Sequence, residues 1–302
     1  MCDPPCNALT VDVEDYYQVS AFENVIRPEA WDGFESRVEA NTRRVLDLLA
    51  EYELAGTFFV LGWVAKRHPA LVRAIAAAGH EIACHGFAHQ RIRFQTPETF
   101  RRDVSTAKAL LEDITGRQVR GYRAPSYSIT PTTAWALDIL IEEGFAYDSS
   151  VFPIIHDLYG FPGALPYPHR IARPGGEIQE FPPTTLRLRF LGRSLALPVA
   201  GGGYLRLFPC WFTRWALHRS AREANGPCAV YFHPWEIDPG QPRIQAGWKS
   251  RFRHYLNLDK TEQRLRALFA TAVFAPMGQV LAALEPLPVV SLGPPPSTGG
   301  RA

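Results

Sequence analysis

Residues 8–15, Ala-Leu-Thr-Val-Asp-Val-Glu-Asp, decide the fold and point toward the chemistry. Leu9, Val11 and Val13 alternate with Thr10 and Asp12 as in an ordered strand. The run then breaks off into acids, with Asp12, Glu14 and Asp15 inside four positions. Such a crowd repels itself in a partly buried site unless a metal or an arginine neutralises it.

Outward from this strand, β-rich runs alternate with amphipathic helical ones. Glu35–Tyr52 reads as a helix with Val38, Val45, Leu48, Leu49 and Tyr52 on one face. Thr57–Leu61 is a strand, Val64–Ala77 a helix closed by Gly79, Glu81–Cys84 a strand, and Pro97–Ile114 a helix striped by Phe100, Val104, Ala107 and Leu111. Val119–Tyr122 and Phe145–Tyr147 are further strands, with a helix between them opening at Pro131 behind an N-cap at Thr130. Beyond residue 150, Pro, Gly and aromatic residues predict long loops with strands at Glu177–Phe181 and Thr185–Phe190. Helix at Phe208–Ala224, strand at Ala229–Phe232 and helix at Thr261–Ala272 follow. Six or seven strand-helix units favour an α/β fold of the closed or nearly closed parallel-barrel type, and no Gly-rich phosphate loop argues for an open nucleotide-binding sheet.

The 302 residues are 46% apolar and 21% charged, which is globular composition, and 32 basic against 30 acidic residues leave a net charge of only +2. That balance gives nucleic acid no general attraction. No run approaches a membrane span, and Met1–Asn7 has neither the basic region nor the apolar run of a signal peptide, so a cytoplasmic location is expected. Cys2, Cys6, Cys84, Cys210 and Cys228 are too scattered for a disulfide framework. Cys2 and Cys6 could share a metal, but no second pair at zinc-finger spacing completes such a site.

In a parallel barrel, reactive groups sit just past the C-terminal ends of the strands. The first strand ends in Asp12, Glu14 and Asp15; the third in His85-Gly86-Phe87-Ala88-His89; the fourth in Arg123-Ala124-Pro125-Ser126-Tyr127; the fifth in Asp148-Ser149-Ser150; the late one in His233-Pro234-Trp235-Glu236. Two neutral imidazoles four residues apart can reach one metal ion, and a carboxylate from the first strand completes a set that leaves positions for water. Arg123 is the natural partner of the acids.

Taken together, the spaced set TVDVED, HGFAH, RAPSY, YDSS and YFHPWE resembles the polysaccharide deacetylases with a NodB homology domain, carbohydrate esterase family four. The motifs run in the family's order from about residue 8 to 235. The C-terminal stretch with Trp248 and His254-Tyr255-Leu256-Asn257-Leu258 resembles the extension of a subfamily tied to exopolysaccharide synthesis and exosortase systems. The resemblance implies a distorted (β/α)7-type barrel over 8–235, a C-terminal helical extension over 236–290 packing on it, and a disordered tail over 291–302.

It also implies one divalent metal, usually zinc, with cobalt, nickel or manganese as substitutes, held by His85, His89 and one carboxylate. Asp12 falls on the family's catalytic base, Arg123 on the arginine that fixes it, and His233 on the histidine that protonates the leaving amine. Asp148 would order the rim or that histidine. The metal carboxylate is open between Glu14, which strand parity places beside Asp12, and Asp15, the family's usual residue type. The extra Ser126 before Tyr127 leaves open which backbone N–H completes an oxyanion site. Tyr127, Trp235 and Trp31 are candidates for stacking on sugar rings.

The expected reaction is removal of N-acetyl groups from amino sugars of a polysaccharide or lipid-linked oligosaccharide, in association with polysaccharide synthesis machinery. The rivals are a metal amidohydrolase acting on a small linear or cyclic amide and a non-catalytic sugar-binding protein of such a complex.

Overall fold

The computed structural model describes residues 6–156, 159–190 and 193–292. Twelve strands form among them: β1 (Asn7–Val13), β2 (Thr57–Val60), β3 (Glu81–Cys84), β4 (Gly121–Tyr122), β5 (Tyr147–Asp148), β6 (His169–Arg173), β7 (Gly176–Glu180), β8 (Thr185–Phe190), β9 (Arg193–Pro198), β10 (Ala229–Phe232), β11 (Phe274–Ala275) and β12 (Val289–Ser291). The main sheet runs β10-β1-β2-β3-β4-β5-β7-β6-β12, with β11 also on β1, while β8 and β9 form a separate hairpin. From β10 through β7 every pairing is parallel; only β6 runs against β7.

The sheet is rolled into a barrel. Three strand steps separate β1 from β4, about 14 Å across a flat sheet. Yet Arg123, just after β4, reaches Asp12 of β1 at 2.6 Å, and the Tyr127 ring meets Tyr231 of β10 with centroids 5.1 Å apart. The flanking strands β10 and β12 do not pair with each other, so the hydrogen-bonded circuit stays open.

Helices cover the outside. Val38, Val45, Leu48 and Leu49 of the helix Val38–Glu51 pack with Leu9, Val11, Phe58 and Val60, all buried in one core. Each such side chain contributes about 1.5–3 kcal/mol relative to exposure. The expected helix over 64–77 is two, Gly62–Arg67 and Pro69–Ala77, divided at His68 because Pro69 has no N–H to continue the first. Thr96 and Gly116 bound the helix Pro97–Thr115 as capping box and left-handed C-cap.

The helix expected from Pro131 begins only at Ala136. Thr133 Oγ1 donates to the Ser128 carbonyl and accepts from the Thr130 N–H, so threonine side chains satisfy the backbone there in a turn instead of a helix.

The segment after residue 235 is part of the barrel. It supplies β11 and β12, and its helix Met277–Ala283 plugs the N-terminal end, where Met277, Val280 and Leu281 pack on Phe59, Ala83 and Tyr147. The Met277 and Gly278 N–H groups donate to Thr57 Oγ1 and Glu81 Oε2, tying that plug to β2 and β3. Ser291, expected in the tail, ends β12, and residues 293–302 lie outside the described residues. So does Cys2; Cys6 is a free thiol. No described helix is long and apolar enough to cross a membrane.

Candidate active site

The open rim at the C-terminal ends of β1, β3, β4 and β10 gathers the expected groups. The turn after β3 carries His85 and His89, and Gly86 makes it with φ +73°. A Cβ at Gly86 would stand 2.8 Å from Asp103 Oδ2, the atom that accepts the Phe87 N–H and holds the turn against the helix Pro97–Thr115. Asp103 was not found by sequence reading, because a single acid inside an amphipathic helix looks like solvated surface.

Glu14, His85 and His89 offer ligand atoms that all lie within 4.8 Å of one another. The His85 Nδ1–H donates to the Arg123 carbonyl at 2.8 Å, which leaves Nε2 with its lone pair facing inward. Burial pushes the His85 imidazole down to about 4, so it is neutral at physiological pH. Glu14 Oε1 accepts from the Trp235 indole N–H at 3.3 Å. Its Oε2 is buried, 2.9 Å from His89 Nε2, and takes part in no well-formed hydrogen bond. Burial alone would raise Glu14, but His89, His233 and His85 together hold it down to about 2. A buried carboxylate oxygen without a donor, facing two imidazoles, suits a divalent cation; Glu and two His is a donor set that zinc takes in hydrolytic sites.

Asp15 lies outside this cluster. Its Oδ2 accepts from Ser36 Oγ and the Arg37 and Val38 N–H groups at 2.8, 2.8 and 3.1 Å, and its Oδ1 accepts the Tyr16 N–H at 3.0 Å. These bonds turn it toward the start of the helix Val38–Glu51, whose first N–H groups have no partner within the helix. Glu14 keeps the side of the chain that Asp12 occupies.

Asp12 Oδ1 accepts from Arg123 Nη1 at 2.6 Å. Arg123 is 1% exposed, and its other donors go to Thr10 Oγ1, the Ser149 carbonyl and Ser149 Oγ. His233 Nε2 lies 3.9 Å from Asp12 Oδ2 and 3.5 Å from Glu14 Oε1. Its Nδ1 is hydrogen bonded to Glu236 Oε1, and the far oxygen of Glu236 is paired with Arg206 Nε at 2.8 Å. Desolvation opposes charge on His233, but Glu14, Glu236 and Asp12 outweigh it and raise the ring to about 9.

Asp148, expected to order the rim or the acid histidine, bears on the rim through Ser150, and the partner of His233 Nδ1 is Glu236. Asp148 accepts from Ser150 Oγ at 2.6 Å and the Ser150 N–H at 3.1 Å, and it shares a hydrogen bond with the buried carboxyl of Glu180. Ser150 Oγ accepts the Ala124 N–H at 2.7 Å, so this pair braces the backbone beside Arg123. The Tyr127 N–H is bonded to the Ala124 carbonyl and that of Ser128 to Pro125. The aromatic candidates are packed inside: Trp31 with Tyr17 and Trp63, Trp235 between His233 and His254, Tyr127 with Phe152 and Tyr231. Sequence reading also missed Arg206 and Glu180, and gave Glu236 no role.

Comparison with known proteins bears on this centre. Residues 27–140 match the polysaccharide deacetylase family. The matched segment holds His85, His89 and Arg123; residues 149–282, which hold Arg206, His233 and Glu236, match a domain of unknown function, DUF3473. The chain is 29% identical over 113 residues to a peptidoglycan deacetylase of Helicobacter pylori, covering 37% of this chain and 38% of that protein. It is 43% identical over 63 residues to a chitooligosaccharide deacetylase of Rhizobium leguminosarum bv. trifolii, covering 21% and 29%. It therefore spans only about a third of the length of these relatives. A solved Mycobacterium smegmatis protein assigned as a polysaccharide deacetylase shares the fold, with TM-score 0.63 at 22% identity over 94% of this chain and 91% of that one.

Proposed function

We propose that the protein is a metal-dependent hydrolase that removes N-acetyl groups from amino sugars of a polysaccharide or lipid-linked oligosaccharide, serving exopolysaccharide biosynthesis in the cytoplasm. The observation that carries this reading is the convergence of Glu14, His85 and His89, with His233 Nε2 3.5 Å from Glu14 and 3.9 Å from Asp12. The deacetylase relatives support the same chemistry.

Glu14, His85 and His89 would hold the ion, zinc foremost. A dication bound there lowers the pKa of water and polarises the acetyl carbonyl. Asp12, kept in place by Arg123, takes the proton of the attacking water. His233 then gives a proton from Nε2 to the departing nitrogen, which is far too basic to leave as an anion. The two proton-transfer groups stand 3.9 Å apart, close enough to serve one reacting carbon.

The test is metal analysis of the purified protein combined with acetate release from N-acetylated oligosaccharides before and after chelation, with small cyclic amides assayed in parallel. One bound dication and chelator-sensitive acetate release are expected. Turnover of the cyclic amides with no acetate release would replace this reading with that of a small-molecule amidohydrolase, and no turnover of either with that of a binding protein.

A further inference from the structure

We propose that Glu236, pinned by Arg206, is a positioning residue that aims His233 at the departing nitrogen, and that the 149–282 segment exists in part to build this arm; the inference rests on the hydrolase reading above. A buried ion pair is a poor source of stability, since removing two charges from water offsets much of their attraction. Glu236 is nevertheless 0% exposed and Arg206 2%.

Arg206 is held on every side. Its Nε donates to Glu236 Oε2 at 2.8 Å, Nη1 to the His254 and Leu256 carbonyls at 2.7 and 3.0 Å, and Nη2 to the Arg253 carbonyl at 3.0 Å. Those carbonyls close the helix Trp248–Tyr255, where unpaired backbone oxygens favour a cation. With Arg206 immobile, the carboxylate it grips has one orientation.

Glu236 Oε1 takes both the backbone N–H of His233, at 3.2 Å, and the ring Nδ1–H. The His233 ring also lies nearly parallel on Trp235, at 5.2 Å and 20°, and Trp235 lies on His254, at 4.1 Å and 14°. His254 is fixed in turn, its Nε2 bonded to Gln241 Oε1 at 2.7 Å. The imidazole is thus held at Nδ1 and along one face. Because Nδ1–H is committed to Glu236, Nε2 is the nitrogen left to act, and it faces Asp12 and Glu14. When the C–N bond breaks, its electron pair goes to nitrogen and the Nε2 proton follows; His233 is left neutral with Glu236 still a carboxylate.

A donor matters only when the leaving group is poor, and this separates aiming from mere support. Glu236→Gln is compared with wild type on N-acetylglucosamine oligomers and on 4-nitrophenyl acetate, whose phenolate leaves unaided. The expected result is a fall on the order of 100-fold in kcat on the acetamide with nearly unchanged ester hydrolysis, and partial recovery in Glu236→Asp. Parallel loss on both substrates, or loss on neither, overturns the proposal. Should Glu236→Gln not fold, Glu236→Asp must show the same split in milder form. Nitrogen-15 histidine NMR of the wild type, with His233 assigned through His233→Gln, must show the Nδ1–H form of the neutral ring, and the Nε2–H form would overturn it. Wild type inactive on both substrates would sink the hydrolase reading alone, with the NMR result still deciding the His233–Glu236 bond.

Discussion

Arg123 and Asp12 form a buried pair in which one guanidinium nitrogen, Nη1, serves both the carboxylate at 2.6 Å and Thr10 Oγ1 at 2.8 Å. The arginine comes from the end of β4 and the acid from the end of β1, so the pair spans the barrel mouth. Arg123→Met would strip Asp12 of its buried guanidinium partner, a loss of about 3–5 kcal/mol. Asp12→Asn keeps an acceptor for Nη1 and removes the proposed base. Thermal melts and acetate-release kinetics separate the two: Asp12→Asn is expected to cost 10²–10⁴-fold in kcat, roughly the reach of general base catalysis, with a smaller drop in Tm than Arg123→Met. Equal activity in wild type and Asp12→Asn would remove Asp12 from the mechanism.

Glu14 and Asp15 are neighbours with different surroundings, Glu14 facing His85 and His89 and Asp15 the start of the helix Val38–Glu51, and their variants should diverge. Glu14→Gln takes away the carboxylate facing His85 and His89, so metal content should fall and acetate release with it, while the fold persists. Asp15→Asn loses acceptor strength at the start of the helix Val38–Glu51, where Arg37 and Val38 N–H groups bond to Oδ2. It should cost about 1–2 kcal/mol in denaturant unfolding and leave metal content unchanged. Metal loss in Asp15→Asn with full occupancy in Glu14→Gln would reverse the assignment.

The rim was legible wherever a motif followed a strand directly. Asp12, His85, Arg123 and His233 each sit at the end of β1, β3, β4 or β10, and a parallel barrel brings all such positions to one end. What could not be read were residues that act through tertiary contacts. Arg206 lies in a short helix Gly202–Leu207 with no pattern of its own, and its use appears only when the carbonyls of the helix Trp248–Tyr255 are brought against it. Trp31, Trp235 and Tyr127 carried an ambiguous signal, because an aromatic side chain that stacks on a sugar and one that fills a core have the same composition. The choice between Glu14 and Asp15 turned on which was captured by the Ser36–Val38 backbone, information that lies some twenty residues away.

Asp148 and Glu180 face each other fully buried, and burial raises both, Asp148 to about 6 and Glu180 well above its ordinary value. Their ordinary values are 3.8 and 4.5. Above those values the unfolded chain releases both protons, while the folded protein holds them to higher pH. The native state therefore binds more protons there, and stability declines as pH rises from about 4 through 6 and levels off once the folded pair has lost what it can lose. Glu180→Gln puts an amide donor opposite Asp148 and removes the demand for a shared proton, while its oxygen can still accept the Val151 N–H that Glu180 Oε1 accepts at 3.1 Å. The variant should thus be close to wild type in stability at pH 5 and more stable by about 1–2 kcal/mol at pH 8. Denaturant melts at the two pH values decide it: a gap that stays constant or narrows with rising pH would mean that the pair is not sharing a proton in the native state.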